Sequence, residues 1–90
     1  MKTLLVHYEG RVQGVGFRWT VKNLAREFEV AGTVKNLPDG RVELLVQGDA
    51  DEVEDFLEAI RDSTLAGHIS TETPTPLPRE PGLRGFLIQQ

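Results

Sequence analysis

Residues 10–19 read GRVQGVGFRW, three glycines in seven positions followed by an aromatic, an arginine and another aromatic. Glycines let successive backbone N–H groups turn into one concavity, and a helix starting just after them adds its unpaired N-terminal donors. Arg18 contributes a planar fork of donors matched to phosphate oxygens. A cation in the first turn of a helix opposes the helix dipole, so an arginine placed there implies that an anion joins it. The alternative is a tight strand-to-helix turn with no ligand, and on residue chemistry both readings stand, with the anion cradle favoured. Two familiar phosphate motifs fail. No glycine is followed by Lys and a hydroxyl residue, as Walker A requires, and the dinucleotide fingerprint begun at Gly14 and Gly16 meets Trp19 where its third glycine belongs.

The elements needed to hold this segment can be read on both sides of it. In TLLVHYE, Leu4, Val6 and Tyr8 alternate with Leu5, His7 and Glu9, the period of a half-buried strand. Val21, Leu24, Ala25 and Phe28 repeat at helical spacing, with Gly32 ending that helix or the turn after it. GTVKN and RVELLVQ flank LPDG, a turn in which Pro38 fixes φ and Gly40 is free to take φ > 0. Asp49 with Glu52 predicts a capping box opening a second helix, whose apolar stripe is Val53, Phe56, Leu57 and Ile60. HISTET reads as a fourth strand, PTPLPREPG as an extended loop or edge segment, and GFLIQQ as a short closing strand with Phe86 and Ile88 facing inward.

The order β-α-β-β-α-β predicts an α+β fold, the ferredoxin-like split β-α-β sandwich. It has a four-stranded antiparallel sheet plus a short extra C-terminal strand, with two helices on one face. In that topology the first and second strands run the same way with the third between them. Their C-terminal ends emerge together, roughly 10 Å apart at two strand spacings. The glycine segment lies at one of these ends, Lys35 and Asn36 at the other. Asn36 alone, in NLPDG, reads as a turn-entry residue.

GRVQGVGFRW followed by GTVKNLPDGRVEL resembles the acylphosphatase family, and the resemblance covers nearly the whole chain. It implies an enzyme hydrolysing the carboxyl–phosphate bond of acyl phosphates to a carboxylate and inorganic phosphate. The family's phosphate-binding arginine corresponds to Arg18, the loop amides to Gly14, Val15, Gly16 and Phe17, and the water-positioning asparagine to Asn36. Thr33 departs from the pattern, because many members place a bulky aromatic between the glycine and the valine. The leaving group is a carboxylate whose conjugate acid has a pKa of about 4. It departs unaided at neutral pH, so no metal, no cofactor and no general acid is expected. The alternative is a relative of the same fold, either acting on carbamoyl phosphate, like the acylphosphatase-like domain of hydrogenase-maturation carbamoyltransferases, or binding phosphate without hydrolysis.

The remaining features set bounds. Ninety residues with 39% hydrophobic and 27% charged content predict one domain over 1–90. There is no cysteine, so disulfides, thiolate nucleophiles and cysteine metal sites are excluded. The net charge of −4 argues against nucleic-acid and anionic-membrane partners, although residues 1–41 carry a balance of +3 and residues 42–90 one of −7. An RNA-recognition module of the same element order would carry stacking aromatics on its third strand, and RVELLVQ has none. The first apolar run, LLV, is too short for a signal peptide or membrane span, so a cytoplasmic location is expected. A small acyl phosphate is the expected partner and a monomer the expected state. Leu5, Leu45 and Leu87 would lie on the open sheet face, where they offer a patch for self-association. His7 and His68 read as surface or edge histidines, Trp19 as a packing residue, Arg11 as exposed, and Lys35 as added positive potential.

Overall fold

The computed structural model describes residues 1–90. Strand β1 (Lys2–Gly10) leads through the glycine loop to helix α1 (Phe17–Ala25), then to β2 (Val30–Asn36) and β3 (Val42–Gly48). Helix α2 (Ala50–Arg61), a single 3-10 turn (Ala66–His68), β4 (Ile69–Pro76) and β5 (Phe86–Gln89) follow. The sheet order is β4-β1-β3-β2-β5. The first four strands pair antiparallel, and β5 joins the edge of β2 in parallel, so the sheet is mixed. As expected, β3 sits between β1 and β2, with Leu4 opposite Val46, Val46 opposite Gly32, and Asn36 opposite Val42.

One core lies between the sheet and the helices. Leu4, Val6 and Tyr8 of β1 and Val42, Leu44 and Val46 of β3 bury against Val21 and Ala25 of α1 and Val53, Phe56, Leu57 and Ile60 of α2. The period-2 and period-3.6 stripes of the sequence are therefore the two halves of a single interface. Tyr8 is fully buried, and its phenol donates to Glu72 Oε1 at 3.0 Å, while Arg61 Nε donates to Glu72 Oε2 at 2.8 Å. This chain ties β1, edge strand β4 and α2 together. Burial, with the Glu72 charge beside it, pushes the Tyr8 phenol far above its ordinary range.

Several local expectations are corrected. Helix α1 ends at Ala25, so Phe28 packs from the following turn, its ring 5.8 Å from that of Phe56. Gly32 terminates nothing. It lies inside β2, where a Cβ would stand 1.9 Å from the Leu45 carbonyl oxygen, so the strands approach there more closely than any side chain allows. The Asp49–Glu52 capping box does not form. Asp49 occupies the N-cap without a side-chain bond, and Glu52 Oε1 instead accepts the Glu29 N–H at 2.7 Å, joining α2 to the start of β2. His7 is no edge histidine, because β1 is an inner strand; its ring nitrogen lies 3.0 Å from Glu43 Oε2.

Residues 77–85 run from β4 to β5, which lie on opposite edges, and cross the open face over Thr3 and Gln47. Gln47 Oε1 accepts from the Thr3 hydroxyl (2.6 Å) and the Glu80 N–H (2.7 Å), and its Nε2 donates to the Glu80 carbonyl (3.2 Å). Leu5, Leu45 and Leu87 do face this side, in one row with Thr33 between Leu45 and Leu87, but only Leu87 is largely exposed. Pro74 and Pro76 stand in edge strand β4 opposite Val6 and Leu4. No helix is long and apolar enough to cross a membrane.

Candidate active site

The glycine loop is an arch on two buried posts. Val12 and Phe17 are buried, and residues 13–16 between them are exposed. The Phe17 ring packs on Tyr8 with centroids 5.1 Å apart, which fixes the start of α1 to the centre of the sheet. Gly14 and Gly16 have φ of 77° and 76°, a left-handed conformation that turns the chain back twice in three residues. Gly16 is also the N-cap of α1, whose first turn contains no acidic residue, and its carbonyl accepts the Thr20 N–H at 2.9 Å. The N–H groups of residues 14–18 find no acceptor within the protein. Five donors thus remain at a helix N-terminus with only a cation beside them.

The fold brings Arg18 and Asn36 to one pocket. Both line a pocket of about 330 Å³ shared with Val12, Gly14, Gly16, Phe17, Trp19, Ile88 and Gln90. Arg18 forms no ion pair with a carboxylate, and its Nη1 donates to the Gln89 carbonyl at 3.1 Å. The short strand β5 therefore aims the guanidinium. The Asn36 carboxamide, at the end of β2, makes no hydrogen bond within the protein and is available to a ligand or to water. Of the residues singled out from the sequence, Gly14, Gly16, Phe17, Arg18 and Asn36 line this pocket. Val15 belongs to the arch but does not line the pocket, and it is over a third exposed. No group of three or more His, Asp or Glu side chains is arranged to hold a metal ion.

Two further residues belong to the site. Gln13 Nε2 donates to the carbonyls of Leu37 (2.8 Å) and Arg41 (2.9 Å), the pair that closes the β2–β3 turn. A side chain of the arch thereby clamps the hairpin carrying Asn36. Trp19 is not a packing residue: it is 68% exposed and forms part of the pocket wall. Lys35 lies on the open face, 3.7 Å from Glu43, and Arg11 is exposed.

The acylphosphatase family model matches residues 4–88. The chain belongs to the acylphosphatase family. Among its relatives, the acylphosphatase of Lactobacillus johnsonii is 47% identical over 70 residues, covering 77% of each chain. The crystal structure of acylphosphatase from Bacillus subtilis superposes with a TM-score of 0.91 at 34% identity, covering 100% of both chains. The HypF structure from T. kodakarensis gives a TM-score of 0.86 at 32% identity, but this chain corresponds to only 12% of that one. As a family member of this similarity it is an acylphosphatase enzyme, and its ferredoxin-like sheet is the family's fold.

Proposed function

We propose that this acylphosphatase holds the phosphoryl group of its substrate on the N–H groups of residues 14–18 and the Arg18 guanidinium, with the attacking water held by Asn36. The water oxygen bonds to phosphorus as the bond from phosphorus to the acyl oxygen breaks, and the carboxylate leaves with the electron pair. The water proton passes to a phosphoryl oxygen of the substrate. The carboxylate needs no protonation to depart, so the work left to the protein is alignment and neutralisation of charge. Asn36 is a poor base but a sufficient hydrogen-bond partner for orienting water. The same reading makes the enzyme independent of metal, because the carboxylate departs without a Lewis acid.

What supports this reading is the lining of one pocket by Arg18, Asn36 and the unpartnered arch, brought there by segments eighteen positions apart. Arg18→Ala and Asn36→Ala should each slow hydrolysis of benzoyl phosphate by roughly 10²–10³, the loss typical of one preorganised donor. Both variants should keep the circular dichroism spectrum of the parent. A folded variant turning over at near-parental rate would refute the role given to that residue. Absence of phosphate release by the parent would point instead to a relative that only binds.

A further inference from the structure

Trp19 stands in the first turn of α1, beside Arg18, on the wall of the pocket. Its backbone is fixed, since its carbonyl accepts from Asn23 Nδ2 at 2.9 Å, yet the indole makes no hydrogen bond and packs into no core. Four apolar side chains line the pocket, and Val12 and Phe17 are committed to the interior. That leaves the indole and the half-buried Ile88 of β5 as apolar surface facing a ligand. The polar donors of the same pocket, the arch and Arg18, suit the phosphoryl end of an acyl phosphate. The acyl end must leave that cradle, and an exposed flat aromatic ring adjoins it.

We infer that Trp19 is the acyl-recognition residue, a stacking surface that makes acyl phosphates with aromatic acyl groups the preferred substrate class over short aliphatic ones. The inference rests on the phosphoryl site proposed above. Aromatic pairs prefer offset or edge-on contact and gain beyond simple burial. Lys22, one turn further along α1, and Arg26, just past its end, line a separate pocket with Phe86 and are not needed for this recognition.

The test compares kcat/KM for benzoyl phosphate and acetyl phosphate. In Trp19→Ala the ratio of the two should fall by about 3- to 10-fold, the rate equivalent of one aromatic contact, mainly through KM for benzoyl phosphate. Trp19→Phe should restore most of the ratio. Trp19 is the one tryptophan of the chain, so its emission gives a second readout on the unaltered enzyme. Phenylphosphonate should shift or quench it well beyond the change given by saturating inorganic phosphate. An unchanged substrate ratio in a folded Trp19→Ala, or equal emission responses to the two probes, overturns the assignment. Failure of the phosphoryl site itself looks different, because Arg18→Ala would then leave both substrates turning over normally. The emission comparison decides the role of Trp19 even if the alanine variant does not fold.

Discussion

One phenol in the core couples folding to alkaline pH. Tyr8 is the only tyrosine, it is fully buried, and its phenol is held protonated well above the ordinary value of 10.0. Below pH 10 both folded and unfolded chains carry this proton, and its contribution to stability is fully present. Above pH 10 the unfolded chain loses the proton while the folded chain keeps it, so stability falls by about 1.4 kcal/mol per pH unit from this group. Tyr8→Phe should cost about 1 kcal/mol at neutral pH and lack that alkaline slope. Urea unfolding at stepped pH measures both, and an identical slope in the variant would contradict the assignment. At this scale the sequence was informative where a residue's type was itself unusual for its position. Arg18 at a helix start and three glycines close together announce chemistry. Gln13 and Trp19 do not: an amide in a loop and an aromatic in a helix look ordinary until the fold shows what each one faces.

The arch is a three-dimensional device made from two glycines, and its energetics belong to the loop rather than to either residue. At Gly16 a Cβ would meet nothing within 4 Å, so the cost of Gly16→Ala is conformational alone. Holding a non-glycine residue at φ 76° costs about 1–2 kcal/mol. If the loop relaxes to escape that cost, donors move, and a shift of about 1 Å lowers turnover by about 10²-fold. Gly16→Ala should therefore lose far more activity than stability, read from benzoyl phosphate turnover beside a thermal melt. A variant as active as the parent would show that the left-handed turn is dispensable. The elements around the arch were legible because each buries one periodic stripe. Their ends were not. Phe28 kept helical spacing after the helix had stopped, because a turn delivers it to Phe56 equally well. Glu52, placed for a capping box, found a partner from another segment in Glu29, a choice that local sequence does not encode.

For the molecule as a whole, the crossing segment over the open face decides how much of the sheet meets solvent. Gln47, at a buried position, holds it with two hydrogen bonds to the Glu80 backbone and accepts a third from the Thr3 hydroxyl. Gln47→Leu strips partners from the Thr3 hydroxyl and from both polar groups of the Glu80 backbone. It should destabilise by about 1–3 kcal/mol and expose residues 77–85 to faster proteolysis, visible by limited digestion and mass spectrometry; unchanged cleavage would mean the segment is held by something else. The topology of the first four strands followed from element order, but the parallel docking of β5 did not, since four residues after a proline-rich stretch carry no sign of which edge they will join.

The two prolines of β4 have a consequence for how the molecule behaves in company. An outermost strand normally leaves a row of free amide hydrogens, a template on which another chain can crystallise into fibrils. Pro74 and Pro76 have no such hydrogens to offer, so two of the last three positions along that margin are chemically blank. Growth of the sheet by addition of a foreign strand is thereby hindered at that end of β4, on the side remote from the Arg18–Asn36 pocket. The opposite margin is only four residues long, too brief a template to nucleate an ordered aggregate.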